Sequence, residues 1–188
     1  KAIENYQQAL TLFRKLGRED GIATTLSDIG VVYYSRGQFD KAIEYYQQAL
    51  AIARKLGVED GIASSLNNIG QVYYFWDQYD KTIENYQQAL TIFRKLGAEY
   101  EIAMSLNNIG TVYSAWDQHD KAIEYYRQAL AIARKLEAEG NIALFLSNIG
   151  VEYYFQQQYD FAIKYLVASM ELIEKLRKTA TGNARRDY

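Results

Sequence analysis

Cysteine and proline are absent from the 188 residues, and histidine occurs once. Without cysteine the chain can form no disulfide, thiolate zinc site, iron–sulfur cluster or cysteine nucleophile. Without proline nothing in the chain forbids long stretches of helix. No apolar run approaches the roughly 18–20 residues of a membrane span, and no charged-then-apolar leader opens the sequence. Positive charge is not in excess either: 21 Lys and Arg stand against 23 Asp and Glu, a net charge of −2. No basic block is dense enough to neutralise a phosphate backbone, so neither nucleic acid nor a membrane is an expected partner. Nucleophile elbows, phosphate-binding loops and clustered metal ligands are missing. The expectation is a non-enzymatic cytoplasmic protein with no cofactor and no metal. What is abundant is tyrosine, present 18 times, within a 49% hydrophobic composition that suits a packed core.

The chain is a tandem repeat. The block KAIENYQQALTLFRKLG at Lys1 returns in related form at Lys41, Lys81 and Lys121, and a worn copy, FAIKYLVASMELIEKL, begins at Phe161. The period is 40 without insertions. Each period holds two helix-like stretches. In the stretch from Asp40 to Leu56, Ile43, Tyr46, Ala49, Leu50, Ala53 and Leu56 recur at spacings of three and four, the stripe of an amphipathic helix. Asp40, Asp80, Asp120 and Asp160 are expected N-caps, and Gly17, Gly57 and Gly97 expected terminators just past the helix. Glu137 replaces that glycine once, which predicts a less sharply ended helix. The other stretch, Gly61 to Trp76, carries Ile62, Leu66, Ile69, Gly70 and Tyr73 on one face, after acidic Glu59-Asp60. Calling this kind A and the former kind B, the order is B, then A-B four times: nine helices. A lone pair cannot bury its apolar face, so pairs must stack.

The A-to-B junction carries a recognisable pattern. Leu26-x-x-Ile29-Gly30-x-x-Tyr33, followed by Ala42, Tyr46 and Ala49, resembles the tetratricopeptide repeat. The other copies keep it in register, as Leu66, Ile69, Gly70 and Tyr73, as Leu106, Ile109, Gly110 and Tyr113, and as Leu146, Ile149, Gly150 and Tyr153. Leu stands where the family pattern has Trp, its terminal Pro is missing, and 40 residues replace 34. This longer form is similar to the repeats of kinesin light chain and of LGN/Pins-type adaptors. The resemblance implies an all-α, right-handed superhelical solenoid of antiparallel helix pairs. Its parts would be a half repeat at 1–20, full repeats at 21–60, 61–100, 101–140 and 141–178, and a disordered tail or linker at 179–188. Gly30, Gly70, Gly110 and Gly150 fall mid-helix, where glycine costs about 1 kcal/mol against alanine. Close approach of helix B is the expected reason, with Ala42 and Ala49 as small partners opposite.

The resemblance also implies that helix A lines a concave groove. The polar stripe of helix A then gives Asp28, Asn68, Asn108 and Asn148 in one row, with Asn67 and Asn107 in the neighbouring row and Gln71 and Thr111 in a third. An Asn side chain carries donor and acceptor together and can grip one peptide unit of an extended ligand. Kinesin light chain-like repeats use the equivalent Asn to hold cargo peptides. Tyr34, Tyr74, Phe75, Tyr154 and Phe155 would supply side-chain pockets, with an opening where Ser114 and Ala115 interrupt the aromatic rows. An alternative for the Asn residues is hydrogen bonding to the neighbouring helix. No Lys or Arg lies on the ladder, so a carboxylate-terminated ligand is not expected; the expected partner is a neutral to mildly basic, extended peptide or protein segment. His119 takes the place of Phe39, Tyr79 and Tyr159, which predicts packing. Glu44, Glu84 and Glu124, three residues after Lys41, Lys81 and Lys121, read as surface ion pairs.

The end helices give a second expectation. Helix 1–16 is expected to leave Ile3, Tyr6, Leu10 and Phe13 partly uncovered. In helix 161–178, Phe161, Leu166, Val167 and Met170 replace polar or small residues. Solenoids normally carry polar caps, so these faces predict either a piece of a longer array or homo-oligomerisation through the ends.

Overall fold

A computed structural model describes residues 2–184, with side chains to Thr179. The described residues form nine α-helices and no strand. Two compact units divide between Gly97 and Ala98. The first contains α1 (Ala2–Lys15), α2 (Glu19–Ser35), α3 (Phe39–Leu56), α4 (Glu59–Phe75) and α5 (Tyr79–Leu96). The second contains α6 (Glu99–Ala115), α7 (His119–Lys135), α8 (Glu139–Phe155) and α9 (Tyr159–Ala184). Even-numbered helices are the A kind and odd-numbered ones the B kind. In the first unit α2 packs on α3 and α4 on α5 most extensively, while α1–α2 and α3–α4 join successive pairs. The second unit repeats this with α6–α7, α8–α9 and the joining contact α7–α8. No described helix is long and apolar enough to cross a membrane. Helix α9 continues through Ala184, into the segment expected as tail; residues 185–188 of that expectation lie outside the described residues.

The helix starts differ from expectation. Helices α3, α5 and α7 begin one residue before the aspartates, at Phe39, Tyr79 and His119, and the preceding Gln38, Gln78 and Gln118 make no side-chain cap bond. Asp40, Asp80 and Asp120 are therefore first-turn residues, where a carboxylate still suits the helix dipole. The turn itself explains this. It closes on backbone alone, Gln78 N–H donating to Tyr73 C=O at 3.0 Å. The residue before each Gln is left-handed: Gly37 at φ 68°, then Asp77, Asp117 and Gln157 at 53°, 54° and 61°. At the B-to-A turns Gly17, Gly57 and Gly97 are left-handed as expected, and Glu137 adopts the same conformation at φ 53°. Helix α7 ends at Lys135, one residue earlier in the repeat than α3 and α5.

The mid-helix glycines meet a different partner from the expected alanines. A Cβ placed on Gly70 would stand 2.6 Å from a ring carbon of Tyr86, and on Gly110 2.7 Å from Tyr126. Gly30 faces Tyr46 in the same way, and Gly150 faces Leu166. Ala42 and Ala49 are buried, at 0% and 2% exposure, and it is the Tyr46 ring, at 1%, that occupies the glycine's missing side chain. Burial pushes the Tyr46 hydroxyl up to about 12. Leu10 is also buried, packed with Leu26, Ile29 and Ala49, whereas Ile3, Tyr6 and Phe13 are half-buried.

Candidate functional site

In the first unit the polar stripes of α2 and α4 lie side by side. Asn68 Nδ2 donates to Ser27 Oγ at 3.4 Å, the neighbouring-helix bond that the sequence left as an alternative. Asn67 is half-buried, and its Oδ1 is enclosed without a hydrogen-bond partner. Gln71 is half-buried beside them. Asp28 is half-buried, and that burial raises its carboxyl above the usual carboxylate range. It borders a cleft of about 310 Å³ between α2, α3 and α4. Ala49, Ala53 and Leu56 line the cleft with Ser27, Ser64 and Ser65, and its carboxylates are Asp20, Asp28 and Asp60; no Lys or Arg is among its walls. Asp20 is paired with Arg18 at 2.7 Å.

The aromatic rows of this unit pack on each other instead of forming separate pockets. Phe39 stacks on Phe75 with centroids 4.9 Å apart, and Tyr34 sits edge-on to both. Tyr74 touches Phe75 and Tyr79. Phe75 is the exposed ring of this group, while Tyr34 and Tyr74 are half-buried.

In the second unit the rows are joined more tightly. Asn148 Nδ2 donates to Asn107 Oδ1 at 2.9 Å across α6 and α8, and Asn107 is buried. Asn108 is half-buried. Thr111 is tied inward: its hydroxyl donates to the Asn107 carbonyl at 3.1 Å and accepts from Tyr126 at 3.2 Å. Tyr154 and Phe155 are exposed, at 59% and 58%, and lie edge to face.

One group was missed. Glu152 is 2% exposed. Ser114 Oγ donates to its Oε1 at 2.6 Å, and His119 Nδ1 lies 2.7 Å from its Oε2. His119 also stacks on Phe155 at 5.5 Å, so the packing expectation captures half of its role. The sequence does carry a signal: position 152 is Glu where the other copies have Val32, Val72 and Val112.

The lysines expected to pair with Glu44, Glu84 and Glu124 do something else. Lys41, Lys81 and Lys121 lie over the rings of Tyr33, Tyr73 and Tyr113, 5.1–5.3 Å from the centroids. Each ring belongs to the preceding helix, and its face attracts the ammonium. Ion pairs form elsewhere, from Lys55 to Glu19, Lys95 to Glu59, Lys135 to Glu99 and Lys175 to Glu139, once per helix pair. Among the described residues no His, Asp and Glu group is arranged to hold a metal ion.

A family model described as tetratricopeptide repeat matches residues 1–55 and 61–135. The chain belongs to this family. No curated protein matches the tetratricopeptide chain. Solved structures share its fold. BtubC from P. vanneervenii superposes with a TM-score of 0.81 at 24% identity, covering 92% of this chain and 75% of its own. A putative kinesin light chain with nearly identical TPR-like repeats, from Podosopora anserina, gives 0.77 at 21% identity, covering 94% and 87%. A Rap protein complexed with competence and sporulation factor gives 0.66 at 21%, covering 93% of this chain but 53% of its own. The tetratricopeptide chain thus spans about half the length of that Rap protein.

Proposed function

We propose that this chain is a protein-interaction scaffold whose A helices hold an extended peptide segment. Asn67, Asn68, Asn108 and Asn148, with Gln71 alongside, would engage the ligand backbone, and Asn107 and Thr111, tied inward, would hold that row in place; Tyr34, Tyr74, Phe75, Tyr154 and Phe155 would meet its side chains. The observation that carries this reading is that an Asn side chain reaches across to the adjacent A helix in each unit, Asn68 to Ser27 and Asn148 to Asn107, on helices that also bear exposed rings. The amide bonds to the neighbouring helix use one Nδ2 hydrogen of Asn68 and of Asn148. A second hydrogen and the carbonyl oxygen of each remain for a ligand. The cleft beside Asp28, whose wall holds Asp28 and Asp60 besides the Arg18-paired Asp20 and no cation, favours a neutral to mildly basic partner. The Rap protein of similar fold, complexed with competence and sporulation factor, is in keeping with such a role.

The test is an array of extended peptides, neutral and basic, probed with wild type, Asn68→Ala and Asn108→Ala. Each variant is expected to lose about 1–3 kcal/mol of binding for each satisfied partner removed, with helicity by circular dichroism unchanged. Affinities that do not move in either variant would sink the ladder.

A second reading rests on a separate observation. Ile163, Met170 and Ile173 on α9 are 60%, 67% and 53% exposed, whereas their counterparts Ile123, Leu130 and Ala133 on α7 are buried at 5%, 5% and 1%. This uncovered stripe favours self-association through α9.

A further inference from the structure

The Ser114–His119–Glu152 cluster is unlike anything else in the array. Its three members replace apolar or aromatic residues at three positions that meet in space. Position 152 is Val in the other copies, at Val32, Val72 and Val112. Position 114 is Tyr, at Tyr34, Tyr74 and Tyr154. Position 119 is aromatic, as Phe39, Tyr79 and Tyr159. Two members sit on one helix pair, α6 and α7, and the third on the next A helix, α8. The carboxyl is 2% exposed and takes both its hydrogen bonds from the preceding pair.

We propose that this cluster is a register lock, which lets α8 dock on α6–α7 and on no other helix pair of the array. The repeats are so alike that every helix pair offers α8 nearly the same bed. Near-identical repeats stacked out of register are a characteristic misfolding route of repeat proteins. The cluster distinguishes the beds. On α2–α3, Glu152 would face Tyr34 and Phe39; Phe39 has no donor, and in the native unit its ring is closed against Tyr34 and Phe75. On α4–α5 it would face Tyr74 and Tyr79, and the Tyr79 hydroxyl already donates to Asp77 at 3.1 Å. Each alternative bed thus offers at most one tyrosine hydroxyl in place of the two native donors, and a buried carboxyl short of a partner costs more than a lost contact, because its hydration is not replaced. The reverse mismatch is also penalised. A Val-bearing A helix on α6–α7 would leave Ser114 and His119 unsatisfied. Buried polar groups of this kind specify pairing while adding little stability over an apolar isostere.

The test compares wild type with the triple variant Ser114→Tyr, His119→Tyr, Glu152→Val, which installs the residues of the neighbouring copy. Both full-length proteins are unfolded in urea, refolded over a range of concentrations, and separated by size exclusion with light scattering. Never-unfolded samples of each serve as references. The triple variant is expected to melt at or above the wild-type temperature, and yet to refold with several-fold more oligomeric or expanded species. In-register exchange between molecules occurs equally in both, so the difference reads register. A wild-type refolding distribution in the triple variant overturns the proposal. So does a clearly lower melting temperature, which would make the cluster a stability element. A transplant controls for folding: Val72→Glu alone should destabilise the first unit, and adding Tyr34→Ser and Phe39→His should restore it. Failure of that rescue also counts against the lock.

Discussion

At the scale of single residues, the glycines in mid-helix separate two effects that usually travel together. Gly70 costs helix stability by its backbone freedom, about 1 kcal/mol against alanine. It is retained because the Tyr86 ring fills the space a Cβ would need. Gly140, in the first turn of α8, has nothing within 4 Å of that space. Gly70→Ala is therefore expected to lower stability by about 1–3 kcal/mol, since a buried ring cannot retreat. Gly140→Ala should raise it by up to about 1 kcal/mol. Urea denaturation of the two variants decides the point: equal shifts would mean that the ring contact is not the reason for the glycine. The sequence pointed to close approach at these positions and named the wrong neighbour. Spacing along helix B places Ala42, Tyr46 and Ala49 on one stripe, and only packing tells which of them stands opposite.

At the scale of elements, nearly everything regular was legible. Helix positions, the left-handed glycines after helix B and the acidic first turns of helix A follow from local chemistry repeated four times. What failed was the start of helix B. Asp is a strong N-cap in general, but here the turn closes on backbone, and the aromatic residue at positions 39, 79 and 119 is drawn into the helix by the rings it packs on. Turns of both kinds hold non-glycine residues at positive φ, Asp77, Asp117 and Gln157 before a B helix and Glu137 after one. Glu137→Gly should then stabilise the α7–α8 turn by about 1 kcal/mol, as the left-handed strain on a side-chain-bearing residue is relieved. Asp117→Gly should gain less, because Asp tolerates this conformation. Thermal melting of the two variants checks the order; a loss with Glu137→Gly would show that the Glu side chain matters more than its backbone.

At the scale of the whole molecule, the candidate site was half legible. That the Asn, Tyr and Phe positions line up in rows was readable from the 40-residue period. Their mutual bonds were not, since Asn68–Ser27 and Asn148–Asn107 join residues 41 positions apart. Glu152 was hidden for the same reason and becomes visible only when the copies are compared column by column. The uncovered stripe of α9 has a consequence at this scale. The mass of the protein in light scattering is expected to rise with concentration, and Met170→Glu is expected to abolish the rise. A mass that stays at the monomer value throughout would remove self-association through α9 as a reading.

The repetition of the helix-pair contacts bears on how such a chain can change over generations. Each A–B pair carries its own Lys–Glu bridge, and the pairs α2–α3, α4–α5 and α6–α7 each add a ring under a glycine and a lysine over a tyrosine. Recombination between the near-identical copies could therefore add or remove forty residues and leave the surviving pairs chemically intact. The copy beginning at Asn141 is tied through Glu152 to the histidine-bearing copy directly in front of it, so a change of copy number across that boundary would strand a buried carboxyl.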